Sequence, residues 1–221
     1  MQINPTILSN DAQSYIEQLT RDAKFAQEID IDVIDWQKTT GKTLSAQQSL
    51  SNSVEVVLNF DLMMDYPSTA IDLIVNDERV KRIIVNILSQ EDIHPLFPKI
   101  KAYKKLCGIS FSEPEEYELI EPYLQEVDSV HFFTIQPGAQ GNPFREEMLE
   151  FANRLKEDGF TGEIGIDGGV NFDTLPLIRK YPVDIAVVGS AIAKSQNPES
   201  TYLELVKLSE TLPPKIEQSP L

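Results

Sequence analysis

Residues 162–192 read GEIGIDGGVNFDTLPLIRKYPVDIAVVGSAI, and they hold two short apolar runs that each lead into glycine. The runs at 162–167 and 183–189 are rich in Ile and Val, and a helix-like stretch separates them. Short runs of β-branched residues bounded by glycines predict strands. A strand, a helix and another strand in succession predict a parallel pair joined by a crossover helix.

The same pattern recurs along the whole chain and predicts eight strands. Eight units over 221 residues leave room for one strand and one helix in each. We therefore predict a single α/β domain, a (β/α)8 TIM barrel, over residues 1–211, followed by a flexible tail at 212–221. An open doubly wound sheet is the alternative, because the number of strands is difficult to fix from one sequence. The predicted strands are 3–8, 29–34, 54–62, 81–88, 106–111, 127–135, 162–167 and 183–189.

Helix signals lie between the strands. Asn142 is placed to cap a helix that begins at Pro143, and Gly159 stands where this helix would end in a left-handed residue. Apolar residues at spacings of three and four predict a last amphipathic helix. These residues are Tyr202, Leu205, Val206 and Leu208.

The charge balance and the cysteine count exclude several classes of protein. Lysine and arginine number 19 against 35 acids, so the net charge is −16 with neutral histidines. A surface this negative repels nucleic acid and anionic lipid, so we expect neither as a partner. Cys107 is the only cysteine, which excludes an internal disulfide. The first residues lack the features of a signal peptide and no long apolar run occurs, so we expect a cytoplasmic protein without a membrane span.

Four aspartates fall near the carboxyl ends of predicted strands, where barrel enzymes carry their chemistry. Asp30 and Asp32 are two residues apart on strand 2, so both side chains point to one face. Asp61 lies near the end of strand 3, and Asp167 closes strand 7. Because an aspartate inside an apolar strand is costly unless it is paired or binds a ligand, the four predict a functional site. The alternative is that some of them lie further out, as turn formers or helix caps.

Glycine-containing loops follow the last three strands. Backbone N–H groups can approach an anion closely at glycines, so the three loops together predict a phosphate site. Turn geometry is the alternative for any one loop, since strand-to-helix corners often use glycine. The candidate substrate-binding residues are Gly138, Ala139, Gln140 and Gly141 after strand 6, Gly168 and Gly169 after strand 7, and Gly189 and Ser190 after strand 8.

At these residues the sequence resembles the ribulose-phosphate 3-epimerase family. The likeness is strong over 127–195 and thin over 36–126, and it covers nearly the whole chain in order. The motifs that carry it are QPG at 136–138, Gly141, Phe144, DGGV at 167–170, GSAI at 189–192, PTILS at 5–9, DIDVID at 30–35 and FDLMM at 60–64.

The resemblance implies a barrel that inverts C3 of D-ribulose 5-phosphate to give D-xylulose 5-phosphate. It places the acid–base pair on Asp32 and Asp167, with a divalent metal ion that steadies the enediolate between them. Two carboxylates on strands 2 and 7 can flank a substrate, which agrees with this assignment. Thr6 stands where the family usually has a serine that touches the substrate. Members usually self-associate, so the resemblance also implies a homo-oligomer.

The chain departs from the family at the metal site. Asp30 and Asp61 occupy the positions of the two family histidines, and the chain's own histidines, His94 and His131, match neither and are expected to be structural. An all-oxygen site suits Mg²⁺ or Mn²⁺ better than the Zn²⁺ or Fe²⁺ also expected in the family. Alternatively the metal is lost, because clustered carboxylates without a cation raise one another's pKa. The ligands of a retained metal would be Asp30, Asp32, Asp61 and Asp167.

Three functions are open from the sequence. The first is an epimerase of ribulose 5-phosphate or a close keto-sugar phosphate. The second is a Mg²⁺-dependent sugar-phosphate lyase or decarboxylase, but such barrels carry a lysine near the strand-3 aspartate, where Met63 and Met64 lie. The third is a catalytically silent barrel that binds a phosphorylated ligand, which the replaced histidines favour. Lys38 and Lys42 follow strand 2, and we expect them to be solvated.

Overall fold

The computed structural model describes residues 1–36, 41–136 and 143–211. These residues form eight parallel strands that pair in chain order, and the last strand pairs back to the first to close a barrel. The predicted (β/α)8 barrel is confirmed, and the open sheet is wrong. The strands are β1 Gln2–Ile7, β2 Glu28–Asp35, β3 Val57–Met64, β4 Val80–Asn86, β5 Leu106–Phe111, β6 Ser129–Phe133, β7 Glu163–Asp167 and β8 Ile185–Val188.

Helices follow the strands along the chain. Within the described ranges there are nine α-helices, and none has the length and apolar character needed to cross a membrane. The predicted tail at 212–221 lies outside those ranges. The helices are α1 Ala12–Asp22, α2 Ala46–Leu50, α3 Pro67–Ile74, α4 Leu96–Ala102, α5 Tyr117–Ile120, α6 Glu150–Glu157, α7 Leu175–Ile178, α8 Ser190–Ala193 and α9 Pro198–Thr211, with 3₁₀ turns at Pro114–Glu116, Glu121–Tyr123 and Glu146–Leu149.

The helix after β6 begins later than the sequence signals predict. Arg145 has extended backbone, and its N–H donates to the carbonyl of Thr134, so helical geometry starts only at Glu146. Pro143 is therefore not the first helical residue, and the predicted cap, Asn142, lies outside the described residues. Gly159 has a φ of +81°, which is the left-handed conformation expected there.

Side-chain alternation divides each strand between two environments. In β2, Ile29, Ile31 and Val33 join the apolar core between the sheet and the helices, so Asp30 and Asp32 point into the barrel. The strands also bury many polar side chains, which makes the barrel interior polar rather than aliphatic. These side chains are Asn4, Thr6, Asp30, Asp32, Asn59, Asp61, Arg82, Asn86, Ser110, Ser129 and His131.

Candidate active site

Three of the predicted site residues lie on the neighbouring strands β2 and β3. Asp32 pairs in register with Asp61, and Asp30 pairs with Asn59 two residues nearer the amino ends of the strands. Asp61 is buried within β3, so the alternative that it forms a turn or caps a helix is wrong. The alternation of β2 places Asp30 and Asp32 on one face, as their spacing predicts.

Asp167 enters the same interior from the last residue of β7, which β8 and β1 separate from β2. Its charge acts on Asp32, and the charges of Asp61 and Asp30 act on Asp167 in turn. The structure therefore points the four predicted carboxyl groups into the same barrel interior, with Asp30 two residues nearer the amino ends of the strands than Asp32 and Asp61. We call these four groups the cluster.

Burial raises the pKa of all four carboxyl groups above the ordinary range of aspartate. Mutual repulsion adds to burial, since Asp167 raises the pKa of Asp32 and Asp32 raises that of Asp61. The pKa of Asp30 rises to about 6, with the positive charge of Arg82 opposing the effect of burial. The cluster thus retains protons at a pH where isolated aspartates are ionised.

Neutral donors from neighbouring strands hold two of these carboxylates. Oδ2 of Asp30 accepts hydrogen bonds from Nδ2 of Asn4 at 2.7 Å and from Nδ2 of Asn59 at 3.4 Å. Oδ1 of Asp32 accepts one from Oγ1 of Thr6 at 3.1 Å. Thr6, a candidate substrate contact, therefore lies directly against a candidate catalytic carboxylate.

A buried arginine lies beneath the cluster, and sequence reasoning missed it. The Arg82 guanidinium comes from β4 and pairs with Glu163 on β7, so its side chain spans the barrel interior. The Arg82 side chain is fully buried, whereas that of Glu163 is 45% exposed. A cation inside an apolar β4 run is the signal that could have found it, because a buried charge needs a partner.

The glycines after β7 have the backbone freedom that an anion site requires. Gly168 and Gly169 have φ values of +107° and +69°, the left-handed region that favours glycine. A Cβ on Gly168 would also lie 2.5 Å from Cγ1 of Ile135. After β8, Gly189 directly precedes α8, whose first residue is Ser190.

The predicted phosphate-loop residues Gly138, Ala139, Gln140 and Gly141 lie outside the described residues. Lys38, expected to be solvated, lies outside them as well. Lys42 is described, and its ammonium group pairs with Asp35 while both side chains stay more than half exposed.

The two histidines lie in different environments. His94 is exposed, and its Nε2 lies 2.9 Å from Oε2 of Glu126. His131 is buried inside the barrel, where its ring covers Gly165 so closely that a Cβ there would meet the ring at 2.5 Å. Burial and the nearby charge of Arg82 hold the pKa of His131 well below its usual range.

The donor set of the cluster fits a hard divalent cation by its chemistry. Oxygen atoms are the ligands that Mg²⁺ and Mn²⁺ prefer, and a dication would relieve the repulsion among the four carboxyl groups. Over residues 1–36, 41–136 and 143–211, however, no three His, Cys, Asp or Glu side chains are arranged to hold a metal ion as they stand. The carboxylates would have to draw together around the ion.

Comparison with known proteins places this barrel in a family. The family model for ribulose-phosphate 3 epimerase matches residues 2–193. The chain belongs to the ribulose-phosphate 3-epimerase family. Family members named after this activity are isomerases, and the resemblance found in the sequence motifs is therefore confirmed.

Two curated relatives match over most of their length. The ribulose-phosphate 3-epimerase of Schizosaccharomyces pombe is 23% identical over 221 residues, which cover 96% of each chain. The cytoplasmic isoform of this enzyme from Oryza sativa subsp. japonica is 24% identical over 214 residues, which cover 94% of each chain.

Solved structures share the fold at lower identity. KGPDC from Streptococcus mutans in complex with D-R5P superposes with a TM-score of 0.70 at 14% identity, and the match covers 95% of this chain and 97% of that one. Orotidine 5'-phosphate decarboxylase from Pyrococcus horikoshii gives a TM-score of 0.65 at 14% identity, over 96% and 100% of the two chains.

Proposed function

We propose that this member of the family interconverts D-ribulose 5-phosphate and D-xylulose 5-phosphate, or a close keto-sugar phosphate, by proton transfer at C3. The observation that carries the proposal is the placement of Asp32 on β2 and Asp167 at the end of β7, two separated strands of one barrel, with the charge of Asp167 acting on Asp32. The names of the full-length relatives supply the substrate class.

The electrostatics of this pair suit a reaction with two bases. Repulsion between Asp32 and Asp167 favours one ionised and one protonated carboxyl group. The ionised carboxylate removes the C3 proton from one face of the sugar, and the protonated partner delivers a proton to the opposite face. The return reaction exchanges the two roles, so neither carboxyl group needs an external acid or base.

The proposal includes a divalent cation, with Mg²⁺ or Mn²⁺ favoured over Zn²⁺ or Fe²⁺. Asp30, Asp32, Asp61 and Asp167 would hold it through oxygen atoms alone. When bound, such an ion supplies positive charge that stabilises the enediolate formed by loss of the C3 proton.

The sugar phosphate is proposed to bind at the glycine corners after β7 and β8. Gly168 and Gly169 have left-handed backbone at one corner, and Gly189 and Ser190 lie at the neighbouring corner. Residues 138–141 complete the proposed phosphate site on the basis of the sequence motif. We also propose a cytoplasmic homo-oligomer, by analogy with the cytoplasmic isoform from Oryza sativa subsp. japonica and with the family.

Hydrogen exchange at C3 of ribulose 5-phosphate in D₂O tests the proposal directly. Protein supplied with Mn²⁺ or Mg²⁺ is expected to exchange this hydrogen, and D32N or D167N to lose at least about 100-fold in rate. D22N is the matched control, because Asp22 is also buried but pairs with Arg21 on α1. Wild-type protein that exchanges nothing with Mg²⁺, Mn²⁺, Fe²⁺ or Zn²⁺ would overturn the proposal.

A silent barrel that binds a phosphorylated ligand is the second candidate function. The two carboxylates at the family's histidine positions, Asp30 and Asp61, favour it. Binding of ribulose 5-phosphate without C3 exchange would support this candidate, whereas new products other than an epimer would indicate a lyase or decarboxylase.

A further inference from the structure

A three-step hydrogen-bond chain runs from the backbone after β4 to the candidate ligand Asp61. The N–H of Leu88 donates to Oδ1 of Asn86 at 2.9 Å. Nδ2 of Asn86 donates to Oγ of Ser110 at 3.4 Å, and Oγ of Ser110 donates to Oδ1 of Asp61 at 3.2 Å. Neither Asn86 nor Ser110 was singled out by the sequence motifs.

The direction of this chain is fixed at its first step. A backbone N–H can only donate, so the atom of Asn86 that faces Leu88 must be the carbonyl oxygen. The amide nitrogen of Asn86 then faces Ser110, whose hydroxyl oxygen accepts that hydrogen bond. The hydroxyl hydrogen of Ser110 is then available to donate to the ionised Asp61 carboxylate.

Burial shields this hydrogen-bond chain from solvent. Asn86 and Ser110 are both 0% exposed, so bulk water does not compete for their hydrogen bonds. Asn86 pairs in register with Ser110 across β4 and β5. Ser110 on β5 and Asp61 on β3 come from alternate strands, the arrangement that places side chains in one layer of a barrel.

We propose that Asn86 and Ser110 are positioning residues that fix the orientation of the Asp61 carboxylate toward the cation and substrate. A hydrogen bond to Oδ1 restricts rotation about the Cβ–Cγ bond of Asp61 and leaves Oδ2 for a ligand. Ser110 does not itself touch the reacting atoms. The inference rests on the proposed function, because it takes Asp61 to be part of the site.

The S110A variant, which removes the hydroxyl group of Ser110, has a matched control in the same barrel. Ser129 is also 0% exposed and lies on β6, and within the described residues its Oγ has no hydrogen-bond partner. S110A and S129A therefore remove the same atom from equally buried positions. Only S110A removes a bond to Asp61.

The first readout is Mn²⁺ affinity, measured from the electron paramagnetic resonance of the free ion. S110A is expected to weaken Mn²⁺ binding by about 10- to 100-fold, the usual effect of losing a partner of a ligand, while S129A changes it less than about 2-fold. S110T keeps a hydroxyl and is expected to restore most of the affinity. In C3 exchange, S110A is expected to lower kcat more than it raises KM.

The second readout tests the hydrogen-bond chain even if the proposed function fails. S110A is expected to lower the thermal unfolding midpoint more in wild-type protein than in D61A, which has no acceptor for Ser110, whereas the effect of S129A is the same in both backgrounds. Wild-type protein without Mn²⁺ binding or C3 exchange would reject the proposed function. Equal effects of S110A and S129A on Mn²⁺ affinity, or no coupling between S110A and D61A, would reject the positioning role.

Discussion

At the scale of single residues, the metal site implied by the resemblance departs from the family pattern at two positions. Asp30 and Asp61 stand where the resemblance expects histidines, and both are buried with a raised pKa. The hydrogen bonds of Asp30 come from neutral amides, those of Asn4 and Asn59. Neutral donors stabilise the Asp30 carboxylate without placing a second positive charge beside a bound cation.

Restoring the family residues should change the preferred metal. We expect the double variant D30H/D61H to shift the Zn²⁺-to-Mn²⁺ affinity ratio at least about 10-fold toward Zn²⁺, because imidazole suits Zn²⁺ better than carboxylate does. Competition between the two ions, followed by elemental analysis, measures the ratio. An unchanged ratio would show that Asp30 and Asp61 are not ligands.

At the scale of elements, the polar interior depends on strands that leave room for large side chains. β7 carries Gly165 beneath the ring of His131, and β5 carries Gly108, whose Cβ would lie 2.5 Å from Oγ of Ser129. These glycines serve close packing across the barrel interior. Their backbones belong to regular strands and have no positive φ among the described residues.

The packing of β6 against β7 predicts how much a methyl group added at Gly165 would destabilise the protein. G165A is expected to destabilise the protein by about 1–3 kcal/mol, because the new methyl group would overlap the His131 ring. Urea unfolding measures the change. H131A in the same chain should recover part of the loss, and a double variant less stable than G165A alone would contradict this account.

The ion pair between Arg82 on β4 and Glu163 on β7 predicts that removing one partner costs more stability than removing the other. E163A leaves the buried Arg82 guanidinium without its partner and should cost about 3–5 kcal/mol. R82M removes the buried charge and leaves Glu163, which is partly solvated, so it should cost less. The free energies of unfolding in urea test this order, and equal losses would argue against a true buried ion pair.

The sequence predicts the bounds of the strands better than it predicts the side-chain contacts inside the barrel. Runs such as Ile185–Val188 are rich in β-branched residues, so the pattern predicts all eight strands close to their observed bounds. Arg82, Ser110 and Asn86 were missed because their role depends on contacts across the barrel. Such contacts follow from strand register and closure, which a local pattern of residues does not specify.

At the scale of the whole molecule, buried titratable groups link stability to pH. His131 is neutral in the fold because its pKa is held well below 6.5, whereas an unfolded histidine takes up a proton below about pH 6.5. The unfolded state thus binds more protons in this range, and the contribution of His131 to stability is lost as the pH falls.

Replacing His131 with phenylalanine keeps an aromatic ring and removes the titrating group. The H131F variant therefore isolates the contribution of His131 to the pH dependence of stability. We expect the stability of wild type relative to H131F to fall by up to about 1.4 kcal/mol per pH unit below pH 6.5. Urea titrations of both proteins between pH 5 and pH 8, taken as a difference, remove the opposing contribution of the aspartate cluster. A constant difference across this range would mean that His131 does not titrate on unfolding.

Because the protein has a net charge of −16, a cation can stabilise it either at the barrel carboxyl groups or on the acidic surface, and the two effects must be separated. A cation that binds only the folded protein should raise the free energy of unfolding by about 2.7 kcal/mol at a hundredfold excess over its dissociation constant. Mn²⁺ should therefore raise the thermal midpoint of wild-type protein, and D30N/D61N should lose most of this rise. NaCl at equal ionic strength controls for general screening of surface charge. A rise of equal size in both proteins would mean that the cation binds the acidic surface and not the carboxyl groups inside the barrel.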